Sequence, residues 1–402
     1  MKNIGGVGIN IVVVSQHYYP DNFRVNDIVK ELVNQGHQVK MITGLPDYTT
    51  SKVPNEYRFF RKRKEVIDGV NVIRVPTISR RKGVIFRALN YMSFIISGYI
   101  YACFCSKKDI DGIFVYQTSP VFQAIPAIRL KKRARCNLTL YCCDLWPESL
   151  KAWNVKEDSL LFKVVKRMSS KIYRACNTVA ITSTPFKEYL IEVCDVDSEK
   201  IQYLPQHAED LYQSIQGQYI DNNCIDFMFA GNIGSVQNVD CILKAIPNVK
   251  TNQKFHVHIV GDGSELDNCI QLSKQLNVEN RITFHGRRSL KEMEKFYLMA
   301  DCLLLTLRGG DFIGMTLPAK SQGYLSCGKP LVGAIDGAGK EMIIKADCGL
   351  CGQAGDDKKL AQNMTTLIES FDQYKQKGKN GRAFYEQNYR KEIFMNNLIG
   401  IL

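Results

Sequence analysis

The chain has 402 residues, 45% of them hydrophobic and 23% charged. That is a globular composition, and at the usual ~100 to 200 residues per domain it calls for two cores rather than one. Lysine and arginine outnumber aspartate and glutamate by 53 to 40, and the net charge of +13 favours polyanions or acidic membrane surfaces over neutral partners.

From the start, the segment MKNIGGVGINIVVVSQ has no charged n-region, long apolar run or small-residue cleavage site, so a cytoplasmic chain with reduced thiols is expected. Ile9 to Val14 reads as a buried strand. The loop SQHYYPDNFR follows it, then a helical pattern from Val25 to Gly36 and a second strand from Val39 to Thr43. This is the β-loop-α-β opening of a doubly wound domain. Further strands are expected at Val70 to Val75, Ile113 to Tyr116, Leu138 to Cys142 and Thr178 to Ile181, and such alternation with helices implies a parallel sheet.

Between these strands, residues 84–105 belong to a stretch uncharged from Arg87 to Lys107, flanked by Arg80, Arg81, Lys82, Lys107 and Lys108. Its length only just reaches the ~18 residues of a membrane span, and Asn90, Ser93, Ser97 and Gly98 interrupt it. Two readings stand: a core helix with a solvated basic edge, or a helix lying on an anionic membrane surface.

The strand rhythm restarts after a polar passage between Gln206 and Asn223, at Ile225 to Ala230, Phe255 to Val260, Ile282 to Phe284, Cys302 to Leu305 and Pro330 to Ala334. In TLPAKSQGYLSCGKPLVGAID, Thr316 to Asp336, Pro318 marks a helix start and Gly328 its end before an apolar strand. A helix so placed turns its unpaired amides and positive pole toward an anion. Gly231-Asn232-Ile233-Gly234 and Gly261-Asp262-Gly263 are strand-to-helix turns where backbone amides can approach a diphosphate, and Arg287 ends another strand.

The loop DNFR ending at Arg24, the run Asp144-Leu-Trp-Pro-Glu148 and the turn Phe229-Ala-Gly-Asn-Ile-Gly234 together resemble glycosyltransferase family 4, in particular the members that build bacterial O-antigen, capsule and exopolysaccharide units. The resemblance implies an α/β, GT-B fold: two doubly wound Rossmann-like domains facing across a cleft. An acceptor domain would span residues 1–205, with a last helix at 382–402 returning to it. A nucleotide-sugar domain would span residues 206–381. The implied reaction is retaining transfer of a hexosyl or N-acetylhexosaminyl group from a nucleotide-sugar donor, a UDP-sugar, to a lipid-linked saccharide at the inner face of the cell membrane. No metal or cofactor is implied.

Carried onto this chain, the resemblance makes Arg24, Asp144 and Lys320 the reacting-site residues. Gly231, Asn232, Gly234, Gly261, Asp262, Gly263, Arg287, Thr316, Leu317, Pro318, Lys320 and Gln322 would hold the donor. Arg24 suits a phosphate through its planar fork, and a solvated helix arginine is the plainer alternative. Asp144 either stands near the sugar or caps a helix.

The chain departs from the family at four places. Asn232 and Gln237 stand where many members have arginine and lysine, and Met315 and Gly323 stand at the glutamates of the E-x(7)-E pair. Gln322 or Glu341 is then the candidate for the ribose contact. A protein that keeps the fold and binds nucleotide-sugars without turnover is the competing reading.

His17 and His207 are candidate bases or structural histidines. The strings Asp109-Ile-Asp111 and Asp195-Val-Asp197 sit beside turns, where aspartate is expected for its backbone chemistry. Cys348-Gly-Leu-Cys351 has no second pair or nearby histidines to complete a zinc set. No nucleic-acid module or aromatic-basic repeat accompanies the positive charge, so nucleic acid is not an expected partner.

Overall fold

A computed structural model describes residues 8–48, 51–59, 61–81, 83–215 and 217–402. Two compact units emerge: residues 1–204 with 395–402, and residues 205–394. Lys82 lies outside the described residues.

In the first unit the strands are β1 (Asn10–Val14), β2 (Gln38–Thr43), β3 (Lys64–Ile67), β4 (Val70–Arg74), β5 (Gly112–Gln117), β6 (Asn137–Cys142), β7 (Thr178–Ile181) and β8 (Ile201–Tyr203). They order as β3-β4-β2-β1-β5-β6-β7-β8, parallel except for the β3–β4 hairpin. The direction of winding reverses at β1, between β2 and β5. That reversal opens a crevice beyond the carboxyl ends of these strands, where open α/β sheets bind ligands.

The second unit contributes β9 (Ile225–Ala230), β10 (Phe255–Val260), β11 (Ile282–Gly286), β12 (Cys302–Thr306), β13 (Leu331–Ala334) and β14 (Gly349–Gly352). Their order, β11-β10-β9-β12-β13-β14, is wholly parallel and places the switch between β9 and β12. Largely apolar strands such as IDFMFA and CLLLT are buried on both faces, as a parallel sheet between helical layers requires.

The uncharged stretch forms one helix, Val84–Phe104. Asn90, Tyr91, Phe94, Gly98 and Ala102 line its buried side, and it packs against the helix Ile125–Ala134. The opposite side leaves Ile85, Leu89, Met92, Ile96, Ile100 and Phe104 exposed, Ile85 at 75% and Phe104 at 85%. Among the described residues, no helix is long and apolar enough to cross a membrane.

One sequence expectation is corrected at the end of the chain. The single helix from Arg382 to Ile401 is two helices, Phe371–Asn388 and Lys391–Gly400. The first is held in the second unit, where Arg382 donates to the Ser326 carbonyl at 2.6 Å and Gly378 lies against the Gly328 backbone. Only residues 395–402 group with the first unit, where Thr139 donates to the Ile401 carbonyl at 2.7 Å.

Candidate donor and acceptor sites

In the second unit the turns that follow β9, β10 and β11 are laced to one another by backbone hydrogen bonds. The Gly231 amide donates to Val260, the Gly261 amide to Gly286, the Ile233 amide to Asp262 and the Glu265 amide to Ile233, each at 2.9 to 3.0 Å. The spacing leaves no room for side chains. Gly261 has φ +153°, and a Cβ there would stand 1.8 Å from the Gly231 carbonyl oxygen, so only glycine fits both the conformation and the gap.

Into this knot reaches Lys320, the first residue of the helix Lys320–Ser326. Its ammonium sits 3.5 Å from the centroid of the Phe229 ring and would meet a Cβ on Gly231 at 3.0 Å. The stem of Lys320 touches solvent, yet its Nζ is buried with no hydrogen-bond partner among the described residues. Burial alone pulls its pKa from 10.5 down to about 7, because a charge without water or a counter-ion is costly. A cation held this way, over an aromatic face and beside a glycine turn, is set to receive an anion.

Tyr324, one turn along the same helix, fixes the register. Its hydroxyl accepts from the Ala230 amide at 2.8 Å and donates to the Ala230 carbonyl at 3.2 Å. Sequence reading does not single it out, although an i, i+4 partner to Lys320 on one helix face is a signal that could have found it.

The helix end is shorter and less open than the sequence suggests. The helix has seven residues, the Thr316 amide is already bonded to the Ile313 carbonyl at 3.2 Å and the Ser321 amide to Pro318 at 2.9 Å. Leu317 and Pro318 are buried. The expected supply of amides from Thr316 to Ala319 is therefore partly consumed by the turn itself, and the Lys320 ammonium is the principal polar group.

Asn232 and Gln237 bond to each other at 3.0 Å, and Gln237 also accepts from the Gly234 amide at 3.2 Å. They brace the turn as neutral groups. Asp262 accepts from the Gly263 amide at 2.8 Å, and Arg287 is exposed immediately after β11. Gln322 is 2% exposed with its Oε1 unpaired. Glu341 lies instead on the helix Gly337–Lys345, paired with Lys345 at 3.3 Å. A Cβ on Gly323 would stand 3.1 Å from the Tyr212 ring, so the position of the second family glutamate is covered by an aromatic side chain.

In the first unit, Arg24 opens the helix Arg24–Asn34 and Asp144 follows β6. Burial raises the pKa of the nearby Tyr116 phenol, with Arg24 opposing the shift and Asp144 adding to it. Asp144 caps no helix: its Oδ2 accepts from Ser119 at 2.8 Å, and a cis Trp146–Pro147 bond intervenes before the 3-10 turn Glu148–Trp153. Burial raises its pKa against the opposing Ser119 bond, a setting suited to holding or exchanging a proton.

His17 is buried and stacked on Phe23 at 5.3 Å. Its pKa falls to about 3, first through burial and then through Arg80, which keeps it neutral. His207 is buried in the second unit, with Nδ1 2.9 Å from the Ala208 carbonyl and the ring against Phe394. Asp111 accepts from the Asn10 amide at 2.7 Å, Asp195 pairs with Arg174 and Asp197 caps a 3-10 turn, so these aspartates do backbone and surface work.

With this geometry in view, residues 214–384 match the family described as Glycosyl transferases group 1. The chain is 26% identical over 161 residues to N-acetyl-alpha-D-glucosaminyl L-malate synthase of Bacillus anthracis, covering 40% of each protein. It is 21% identical over 338 residues to WcaI of Escherichia coli (strain K12), provisionally named a colanic acid biosynthesis glycosyl transferase, covering 80% of this chain and 82% of that one. The structure superposes on Anabaena Alr3699/HepE in complex with UDP-glucose with a TM-score of 0.69 at 14% identity, covering 98% of this chain and all of the other (100%).

The fold is therefore GT-B, two Rossmann-like α/β domains. The stretch that matches the glycosyl transferases group 1 family lies within the second unit.

Two substitutions test the donor turn. Gly261→Ala should lower stability by at least ~2 kcal/mol and abolish UDP-glucose binding, measured by thermal unfolding and calorimetry. Lys320→Met should do the reverse to stability. The folded-state pKa of about 7 lies below the unfolded value of 10.5, so the unfolded chain holds the extra proton between those values and wild-type stability rises with pH across that window. The Met variant should melt roughly 5 °C or more above wild type at pH 6.5, and the gap should close toward pH 10.

Proposed function

We propose that the protein is a retaining glycosyltransferase that moves a sugar from a UDP-sugar to a lipid-linked saccharide of a surface polysaccharide, at the inner face of the cell membrane. The observation that carries this is the buried Lys320 ammonium against the Gly231 turn, with no hydrogen-bond partner among the described residues. UDP-glucose in the Anabaena relative and colanic acid biosynthesis in the name of WcaI support the donor and the pathway class.

In the proposed reaction the donor diphosphate lies against the Gly231–Gly234 and Gly261–Gly263 turns, with Lys320 neutralising it. The anomeric carbon–oxygen bond to the diphosphate breaks, and the acceptor oxygen bonds to that carbon on the same face. The acceptor proton passes to a leaving-phosphate oxygen. The side chains and the leaving group supply all that this step uses. Arg24 and Asp144 belong to the acceptor side, where Asp144, anchored by Ser119, orients the hydroxyl.

Because Lys320 must be charged to hold the diphosphate, donor affinity should depend on pH. UDP-glucose carries no titrating phosphate proton near neutrality, so its Kd should stay flat below pH 7 and then rise by roughly tenfold per unit above it, as the free-state pKa of about 7 requires. Lys320→Gln should erase that slope and cut transfer at least ~100-fold, read by calorimetry and by mass spectrometry of lipid extracts. Tight binding of UDP-, GDP- and dTDP-sugars without product in those extracts would instead establish the binding-protein reading.

Membrane contact is supported by the exposed apolar side of the helix Val84–Phe104 and by a second helix, Leu160–Ala175. There Leu160, Leu161, Val164 and Met168 are exposed beside Lys163, Lys166, Arg167 and Lys171. Such faces bind anionic lipid by combining buried hydrocarbon with ~1 kcal/mol per basic residue. Ile96→Glu with Ile100→Glu should abolish co-flotation with phosphatidylglycerol vesicles and leave UDP-glucose binding intact; unchanged flotation would remove the membrane from the reading.

A further inference from the structure

Trp146 stands two residues past Asp144 and is only 4% exposed. Its indole Nε1 donates to Ser119 Oγ at 3.1 Å, and Ser119 Oγ donates to Asp144 Oδ2 at 2.8 Å. The direction of this chain is fixed by its members. An indole N–H can only donate, and a serine hydroxyl has one proton to give. The indole fills a lone pair of Ser119, and the hydroxyl proton is left for the carboxylate. Oδ2 is thereby engaged, which favours Oδ1 as the atom that meets a substrate hydroxyl or takes up a proton.

Both ends of the chain are held by groups outside it. The Trp146 amide donates to the Tyr173 hydroxyl at 3.1 Å, on the helix Leu160–Ala175. The indole meets the Phe122 ring edge-on, with centroids 5.9 Å apart. At the other end the fully buried Gln117 donates to the Asp144 carbonyl at 2.9 Å and to the Thr118 carbonyl at 3.1 Å. These contacts fix the indole and the Asp144 backbone, and the Ser119 bond then fixes the rotation of the Asp144 side chain.

The same bond bears on the charge of Asp144. Burial pushes its carboxyl pKa up, and the Ser119 hydroxyl and amide pull it down. Other titratable groups approach it from several elements: Tyr91 of the helix Val84–Phe104, Tyr116 of β5 and Cys142 of β6. Burial pushes all three upward, so they stay neutral through the range where a carboxyl titrates. The adjoining Cys143 thiol acts on Tyr116 and Cys142, and Arg24, a cation on this crest, opposes the Tyr116 shift.

We propose that Ser119 and Trp146 are positioning residues of the acceptor site: the indole aims the serine hydroxyl, and the hydroxyl holds Asp144 so that Oδ1 orients the acceptor oxygen. Ser119 also keeps that carboxyl ionised in a buried setting. The inference rests on the role proposed above for Asp144 and adds the two residues that aim it.

The chain has two tryptophans, the second being the exposed Trp153, so Trp153→Phe leaves Trp146 as the sole indole. Its fluorescence, followed from about pH 8 to pH 4 with circular dichroism as the control for unfolding, should titrate with a midpoint above the ordinary carboxyl value of 3.8. Asp144→Asn should abolish the titration. Ser119→Ala in the same background should abolish it too, because the indole loses its link to the carboxyl, and Ser119→Thr should restore it. In transfer from UDP-glucose, read by mass spectrometry of lipid extracts, Ser119→Ala should move the acid limb of the rate upward by about one pH unit at unchanged UDP-glucose Kd. Trp146→Phe should move it the same way by less, and the serine variants decide the matter even if that protein folds poorly.

A flat indole signal in the Trp153→Phe protein overturns the proposal. So does a titration that survives Ser119→Ala or Asp144→Asn, since the indole would then sense another group, or an acid limb unmoved by Ser119→Ala, which would leave both residues as packing alone. Absence of transfer in the wild-type protein, with the indole titration behaving as expected, removes the transfer reading and leaves the chain from Trp146 to Asp144 standing. Transfer that proceeds with an unmoved acid limb removes the positioning role alone.

Discussion

The desolvated ammonium of Lys320 organises the glycine turn after β9. Lys320 lies over Phe229 and against Gly231, and among the described residues no protein group neutralises it. Tyr324 pins the same helix to the end of β9, the glycine turns exclude side chains that would fill the space, and Gln237 braces the loop without bringing charge. Holding that charge out of water costs stability, a relation between strain and function that recurs at binding sites.

The same logic explains how the chain tolerates its departures from the family pattern. Asn232 and Gln237 supply turn geometry where cations are usual, which leaves Lys320 as the buried positive group facing the turn. In the first domain the balance differs. Cations there are numerous and partly exposed, and the buried polar work is done by neutral amides: Gln16 to Asn90, Gln123 to the Gln16 amide, and Gln117 to the Asp144 carbonyl. These amides hold the carboxyl ends of β1, β5 and β6 in one rigid crest without importing charge.

Much of the fold was legible because parallel sheets write themselves plainly. CLLL and IVVV are short apolar runs of strand length bounded by polar residues, and their length and β-branched content favour a buried strand. Lys320 and the glycine turns were legible for a related reason: glycine positions expose where backbones crowd. Helix ends were less so. The short helix at Lys320 starts two residues after its proline, and the last helix breaks near Tyr389, because tertiary contacts at Tyr324 and Arg382 decide those boundaries rather than local propensity. The role of Asp144 was ambiguous in sequence since its partner, Ser119, stands 25 residues away.

Tyr212 over Gly323 carries an evolutionary consequence. The ring rests edge-on against Tyr297 at 4.7 Å and occupies the room into which a side chain at 323 would grow. A lineage regaining glutamate there would first have to shrink residue 212, because the opposite order drives a carboxylate into an aromatic wall. The two positions are coupled, so with Tyr212 in place residue 323 has room for little more than a hydrogen.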